Sequence, residues 1–193
     1  LSYTWSMPRD EKAVYLSFDD GPHPEVTPFV LAELRKYNAL ATFFCIGKNV
    51  AACPEIYKQV LDEGHSVGNH TQNHLNGWKT GDQEYLQDIA GAARFIDSNL
   101  FRPPYGKITR FQAKNLDKVL NGKKPRVIMW DVLSADFDIS VSPKRCLENV
   151  IFNVRPGSII VFHDSEKAFP RLSYALPAVL AHLKNQNFMF KAL

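Results

Sequence analysis

The chain has 193 residues, of which 45% are hydrophobic and 22% charged, with a formal net charge of +3. This balance is typical of a globular protein, and no Lys/Arg run exceeds two residues. No apolar stretch is long enough to span a bilayer. We therefore expect neither nucleic-acid binding nor a transmembrane segment, and we expect one domain over residues 1–193.

Short apolar runs alternate with stretches of helical spacing along the chain. The predicted strands are 13–18, 41–46, 66–69, 100–103, 126–132, 158–162 and 188–193. The predicted helices are 26–37, 54–63, 82–99, 109–121, 143–154 and 176–185, with Pro177 at the start of the last one.

This alternation predicts an α/β fold with a parallel sheet and outer helices. The strands are apolar on both faces, which favours a closed or nearly closed βα barrel. A doubly wound open sheet is the alternative, but no Gly-rich phosphate loop follows the first strand. In βα barrels, active sites lie at the carboxyl ends of the strands.

The stretch "LSFDDGPHP" places two adjacent carboxylates, Asp19 and Asp20, at the end of the first predicted strand. Two neighbouring acids repel each other, and a cation would screen that repulsion. One acid can then bind a metal while the other acts as general base. The alternative is a simple Asp-Gly-Pro turn whose aspartate caps the following helix.

The stretch "GHSVGNHTQNH" carries His70 and His74, four residues apart. If a helical turn follows the third strand, both imidazoles lie on one face and can share a metal ion. Two histidines and one carboxylate form a common catalytic metal set. A pair of surface or packing histidines is the alternative. We interpret His65 as a structural histidine or as one that supports a metal ligand without binding the metal.

Three further strand ends carry polar groups, in "FRPPYG", "MWDVLSADFD" and "IIVFHDS". Arg102 in the first can pair with an active-site carboxylate. In the second, turn solvation is the favoured interpretation for Asp131 and Asp138. The third ends on His163. Five strand ends with such groups are difficult to explain as unrelated structural turns.

In this order, "SFDDGP", "HTQNH", "RPPYG", "DVLSADFD" and "VFHD" resemble the motifs of NodB-type polysaccharide deacetylases, carbohydrate esterase family 4. The resemblance runs from about Ala13 to the C-terminus. It implies a deformed (β/α)7-8 barrel and one divalent metal ion, usually Zn²⁺, with Co²⁺, Ni²⁺ or Mn²⁺ as alternatives.

The resemblance also implies a role for eight residues at matching motif positions. They are the metal ligands Asp20, His70 and His74, the base Asp19 with its orienting Arg102, the acid His163 with its partner Asp136, and Tyr105, whose backbone N–H assists the oxyanion.

The activity implied is removal of acetyl groups from N-acetylated amino sugars, in a glycan of peptidoglycan or chitin type, by a metal-bound water. An O-acetyl esterase acting on acetylated xylan and an inactive glycan-binding module are the alternatives. The substrates of the family imply an extracytoplasmic location, so we expect an export signal upstream of Leu1. We also expect a monomer.

Three positions depart from the family pattern and concern the acyl pocket. Leu133 stands where an aspartate is frequent, Phe137 where tryptophan is frequent, and Val161 where leucine is common. Trp78 and Phe137 can stack on sugar rings or pack within the protein. The three cysteines are expected to be free thiols, with a Cys45–Cys53 bridge as the alternative.

Overall fold

The computed structural model describes residues 3–193 as parallel strands flanked by helices. The strands are β1 (Tyr3–Thr4), β2 (Ala13–Asp19), β3 (Ala41–Cys45), β4 (Ser66–Asn69), β5 (Leu100–Phe101), β6 (Arg126–Ile128), β7 (Val132–Leu133), β8 (Ile159–His163) and β9 (Met189–Phe190). The helices are α1 (Val26–Lys36), α2 (Gly47–Ala52), α3 (Pro54–Asp62), α4 (Asp82–Ala93), α5 (Arg110–Lys114), α6 (Leu116–Val119), α7 (Pro143–Ile151) and α8 (Phe169–Asn185), with a 3₁₀ turn at Pro104–Gly106.

The sheet is curled, and one short segment of the chain connects its two edges. Its order is β1-β6-β5-β4-β3-β2-β8-β7, with β9 paired to β2. β7 forms one edge of the sheet and β6 lies next to β1 at the other edge, yet only Met129, Trp130 and Asp131 separate β6 from β7 along the chain. The predicted barrel with parallel strands and outer helices is confirmed, and the open doubly wound sheet is not formed.

The predicted strand 126–132 was wrong as a single straight strand. Its first half pairs with β5 and its second half pairs with β8. At the bend, Asp131 N–H donates to the Ile159 carbonyl at 3.3 Å, and Asp131 Oδ1 accepts from Ile159 N–H at 2.8 Å. Ser158 Oγ donates to Asp131 Oδ2 at 3.1 Å. Asp131 is therefore a barrel-closing residue, and not the solvated turn acid that was predicted.

An aromatic row lies one residue below the carboxyl rim of the barrel. Phe18 is in register with Phe43 on β3 and with Phe162 on β8. Its ring stacks on both, with centroid distances of 5.1 and 6.1 Å. All three side chains are buried in a core that they share with residues of α1 and α8, such as Leu31 and Leu176. They lie on the face of the sheet opposite to Asp19, so this row holds the strand ends against the outer helices.

The helix predictions erred mainly at the ends. The predicted helix 82–99 ends at Ala93, and the predicted helix 109–121 is divided at Asn115 into α5 and α6. The helix α2 and the strand β1 were not predicted. Pro177 lies inside α8 and does not begin it, because the helix starts at Phe169 with Pro170 in its first turn. The buried face of α8 continues on both sides of Pro177, so packing outweighs the lost hydrogen bond.

Cys45, Cys53 and Cys146 are free thiols, so the Cys45–Cys53 bridge is not formed. Burial raises the pKa of Cys146 to about 12, with a smaller effect of Asp136. The pKa of Cys45 is also raised, by burial and then by Asp164 and Asp19.

Among residues 3–193, no helix has the length and apolar character that crossing a bilayer demands.

The closing contact predicts a specific loss of stability. Asp131→Ala leaves the buried Ile159 N–H without its side-chain acceptor, which should lower the free energy of unfolding by about 1–3 kcal/mol. Denaturant unfolding measures this loss. Asp97→Ala is the control, because Asp97 is exposed in its ion pair with Lys123, and its effect should stay within about 0.5 kcal/mol. Equal stability of the two variants would contradict the assignment.

Candidate active site

A cavity of about 580 Å³ opens at the carboxyl ends of the strands. Its polar lining consists of Asp19, Asp20, His70, His74, His163, Ser165 and Lys167. Its apolar lining consists of Pro103, Tyr105, Trp130, Leu133, Phe137 and Val161. The structure thus brings six of the eight predicted site residues to one cavity, and the other two, Arg102 and Asp136, are fully buried beside it.

Arg102 and Asp19 form a buried ion pair at the base of the cavity. Arg102 Nη1 donates to Asp19 Oδ1 at 2.7 Å and to Ser17 Oγ at 2.8 Å. Nε and Nη2 donate to the carbonyls of Ile128 and Met129. The guanidinium is 0% exposed, so these acceptors replace the water it has lost. No hydrogen bond within residues 3–193 occupies Asp19 Oδ2, which leaves that oxygen for the cavity.

The pKa of Asp19 is lowered from its ordinary value. Burial raises the pKa, but the charge of Arg102 lowers it. Smaller lowering effects come from His70, from His163 and from the hydrogen bond of Arg102, and together the lowering effects outweigh burial. Asp19 therefore reaches the cavity as a carboxylate.

Asp20, His70 and His74 bring three ligand atoms together. Asp20 Oδ1 lies 3.2 Å from His74 Nε2 and 3.7 Å from His70 Nε2, and the three atoms all lie within 4.8 Å of one another. Tetrahedral zinc ligands at ordinary bond lengths are about 3.4 Å apart. Asp20 Oδ1 is buried and has no hydrogen-bond partner among the described residues. These observations fit a bound divalent cation.

The two imidazoles are prepared for metal binding. His70 Nδ1–H donates to the Arg102 carbonyl at 2.8 Å, which orients the ring so that its other nitrogen, Nε2, faces Asp20. Burial, followed by the charge of His70, lowers the pKa of His74 to about 4. His74 is therefore neutral near pH 7, the form that binds metals.

The helical turn predicted between His70 and His74 is not present. Thr71 and His74 have φ values of 65° and 59°, which lie outside the right-handed helical region. Asp88 on α4 holds this loop, since its carboxylate accepts from the backbone N–H groups of Gln72 and Asn73 at 3.0 Å each. The two histidines thus meet through a loop braced by α4, and not through helical periodicity.

His163 and Asp136 form the second polar pair of the rim. Asp136 Oδ1 lies 2.7 Å from His163 Nδ1, and Asp136 Oδ2 accepts from the His163 backbone N–H at 2.7 Å. Burial lowers the pKa of His163, but the charge and the hydrogen bond of Asp136 raise it. Asp20 and Asp19 add smaller raising effects, and the resulting pKa is about 9. His163 therefore carries a proton near pH 7.

Asp19 and His163 are direct neighbours across two strands. They are register partners in the parallel pair β2 and β8, so their side chains emerge on the same side of the sheet. One group is an ionised acid and the other a protonated base. The cavity thus holds a proton acceptor and a proton donor next to three converging ligand atoms.

Tyr105 lies on the rim beside the histidines. Tyr105 is 60% exposed, and its ring packs edgewise against His74 at 4.7 Å between centroids. Its backbone has φ 59°, an uncommon left-handed value for a non-glycine residue. No acceptor within residues 3–193 takes the Tyr105 N–H.

The three departures from the family pattern lie together in the apolar wall. Leu133 and Phe137 are partly exposed, Val161 is fully buried, and Phe137 packs against His163 at 5.2 Å between ring centroids. Trp78 is not part of this lining. It lies outside the cavity with Lys107 Nζ 4.1 Å from its ring centroid.

Sequence reasoning missed Pro103, Trp130, Ser165 and Lys167 as cavity residues. Trp130 lies at the bend between β6 and β7, which no periodicity indicated. Ser165 and Lys167 come shortly after His163, but loop residues carry no pattern that shows which way they face.

The parallel barrel, with acids and histidines at its carboxyl rim, has the features of a barrel enzyme in the hydrolase class. The polysaccharide deacetylase family model matches residues 6–120. The chain therefore belongs to the polysaccharide deacetylase family, and the resemblance to NodB-type, carbohydrate esterase family 4 proteins is confirmed.

Relatives and solved structures agree with this membership. A peptidoglycan-N-acetylglucosamine deacetylase of Bacillus cereus is 36% identical over 192 residues, covering 97% of this chain and 89% of that protein. The structure of a peptidoglycan N-acetylglucosamine deacetylase, in complex with 4-naphthalen-1-yl-N-oxidanyl-benzamide, has a TM-score of 0.91 at 32% identity and covers 99% of this chain and 90% of that one.

A third similar protein shows that the fold does not decide activity. It is a mutant of a carbohydrate esterase family 4 pseudoenzyme with restored enzymatic activity, with a TM-score of 0.86 at 26% identity. The alignment covers 100% of this chain and 70% of that one. Activity must therefore be argued from the site residues.

The converging ligands predict the behaviour of two histidine variants. His74→Ala removes one of the three candidate ligands and should abolish tight zinc binding in equilibrium dialysis, while the fold is retained. His182→Ala is the control, since His182 on α8 lies outside the cavity and, among residues 3–193, its side chain hydrogen-bonds only to Gln186. Stoichiometric zinc in purified His74→Ala protein would remove His74 from the ligand set.

Proposed function

We propose that the chain hydrolyses the N-acetyl group of N-acetylglucosamine units in a peptidoglycan-type glycan. The single observation that carries this proposal is the register pair of Asp19 and His163, a proton acceptor and a proton donor that line the same cavity as the three candidate ligand atoms. The peptidoglycan substrate is supported by the named activities of the B. cereus relative and of the similar solved structure. Such a substrate lies outside the cytoplasm, which is where we place the protein.

In this proposal Asp20, His70 and His74 hold one divalent cation, and zinc suits the imidazole and carboxylate ligands. When bound, such an ion lowers the pKa of water and polarises a carbonyl. Every residue of the proposed centre comes from one chain, which is compatible with a monomer.

Asp19 acts as general base in the proposed reaction. Arg102 holds Oδ1, so Oδ2 accepts the proton of the water whose oxygen attacks the acetyl carbon. Arg102 also keeps the carboxylate ionised and fixes its direction, since its guanidinium is itself held by Ser17 and by two carbonyls. General-base catalysis of this kind contributes about 10²–10⁴ in rate.

His163 acts as general acid on the leaving nitrogen. Asp136 occupies Nδ1, so Nε2 carries the proton that is donated to the amine when the C–N bond breaks. An amine leaves poorly without this proton, which makes the acid important for an N-acetyl substrate. In the proposed reaction the free Tyr105 N–H donates to the oxygen of the tetrahedral intermediate, a contact whose loss typically costs about 10²–10³ in rate.

The function is tested by product analysis on a panel of glycans. Acetate and new free amines are measured with peptidoglycan, chitooligosaccharides and acetylated xylan, with and without a chelator. We expect acetate and amine in equal amounts from peptidoglycan, and loss of both with chelator. Acetate from xylan alone would make the chain an O-acetyl esterase. A zinc-loaded protein that releases nothing would make it an inactive glycan-binding module.

Because the adjacent aspartates have different proposed roles, their asparagine variants should lose activity in two different ways. Asp20→Asn weakens a metal ligand, so excess zinc should partly restore acetate release. Asp19→Asn removes the base but keeps the ligands, so the protein should bind zinc yet lose about 10²–10⁴ in rate at every zinc concentration. A zinc titration of acetate release measures both. Rescue of Asp19→Asn by zinc, with Asp20→Asn loaded and inactive, would exchange the two roles.

The His163–Asp136 pair predicts the alkaline limb of the pH profile. Because the pKa of His163 is raised to about 9, the donor is present below that pH and is lost as pH rises through it. Asp136→Asn removes the raising charge, so the alkaline limb of kcat/KM should move down towards or below the ordinary histidine pKa of about 6.5. Asp138→Asn, two residues further along the chain, should leave the limb in place. An unmoved limb in Asp136→Asn would exclude His163 as the acid.

A further inference from the structure

Asp164 is a buried acid that the proposed chemistry does not use. It follows His163 at the end of β8, is 1% exposed and is not part of the cavity lining. Its Oδ1 accepts from the Gly21 backbone N–H at 2.9 Å, and its Oδ2 accepts from Thr27 Oγ1 at 2.6 Å. The backbone N–H of Asp164 donates to the Asp19 carbonyl at 3.1 Å. Asp164 therefore binds the chain on both sides of Asp20.

Asp20 needs this support because its backbone is held in an unfavourable conformation. Its φ is 85°, and a non-glycine residue at positive φ persists only when its surroundings enforce it. Asp20 N–H donates to the Phe44 carbonyl at 3.2 Å, and Asn49 Nδ2 donates to the Asp20 carbonyl at 2.7 Å. Asp164 holds the Gly21 N–H of the same peptide group whose carbonyl, that of Asp20, accepts from Asn49.

The contact between Asp164 and Gly21 is close enough to exclude a side chain. A Cβ on Gly21 would lie 2.0 Å from Asp164 Oδ2 and 2.6 Å from Oδ1. The carboxylate thus occupies the space of a side chain at position 21. This explains why glycine follows the two aspartates, independently of any turn conformation.

We propose that Asp164 is a positioning residue for Asp20, and that its hydrogen bond to the Gly21 amide keeps Asp20 Oδ1 directed at His70 and His74. The inference rests on the proposed function in one respect, that Asp20 is a metal ligand. Outer residues that orient ligands typically change metal affinity by about 10–100-fold when they are removed.

The role needs an acceptor oxygen and not a charge. Burial raises the pKa of Asp164 to about 8, although the hydrogen bonds from Thr27 and Gly21 oppose this shift. Both the ionised and the neutral carboxyl group retain an oxygen that accepts from the Gly21 N–H. An asparagine retains such an oxygen as well, whereas a leucine of similar size does not.

Zinc affinity, measured by competition with a chromophoric chelator, tests the inference. Asp164→Leu should bind zinc about 10–100-fold more weakly than the wild type, and Asp164→Asn should recover most of this loss. Thr27→Val is the control, since it removes the contact to Oδ2 but leaves the contact to Gly21, and its zinc affinity should equal that of the wild type. Circular dichroism of the zinc-free proteins checks that each variant is folded.

A second measurement remains decisive if Asp164→Leu does not fold. Gly21→Ala forces a methyl group into the carboxylate and should weaken zinc binding, and Asp164→Ser in the same chain should relieve that clash. The double variant should then bind zinc more tightly than the two single losses predict. Additive losses would overturn the inference.

The zinc measurements also distinguish the proposed role of Asp164 from the proposed metal site itself. Wild-type zinc affinity in folded Asp164→Leu, or an Asp164→Asn variant as weak as Asp164→Leu, would overturn the role of Asp164 alone. A wild-type protein that binds no zinc would overturn the proposed metal site and this inference together.

Discussion

The buried ion pair of Arg102 and Asp19 is the interaction on which the rest of the site depends. A guanidinium without water is costly unless its donors are satisfied, and here Asp19, Ser17 and two backbone carbonyls satisfy it. These acceptors come from β2 and from the chain at the end of β6, while Arg102 itself follows β5. Its own carbonyl also orients His70. One buried cation therefore connects the proposed base Asp19, the proposed metal ligand His70 and the barrel wall.

This arrangement separates the proton affinities of two neighbouring groups. Asp19 is held ionised by Arg102, whereas His163 is held protonated by Asp136, although the two are register partners on adjacent strands. Each group thus has its own buried counter-charge behind it and faces the cavity with its free atom. Opposed environments of this kind are how two titratable groups take the acid and the base roles at one pH.

The carboxyl rim was predictable because polar residues at the ends of apolar strands must meet in a parallel barrel. The loop geometry was not. Asp20, Thr71 and His74 adopt positive φ values that composition does not indicate, and tertiary contacts from Asp164 and Asp88 enforce the conformations of these loops. The bend at Trp130 was missed for a similar reason, because a strand that changes partners keeps one continuous apolar pattern. Pro177 misled the helix boundary, since packing of α8 overrides its local preference.

The most direct measurement is a crystal structure of Asp19→Asn protein with zinc and an N-acetylglucosamine oligomer. It should show zinc on Asp20, His70 and His74, and the Tyr105 N–H directed at the acetyl oxygen. His163 Nε2 should lie within hydrogen-bond distance of the amide nitrogen, about 2.7–3.2 Å. A bound oligomer whose amide nitrogen points away from His163, or zinc held without His70 and His74, would contradict the proposed chemistry.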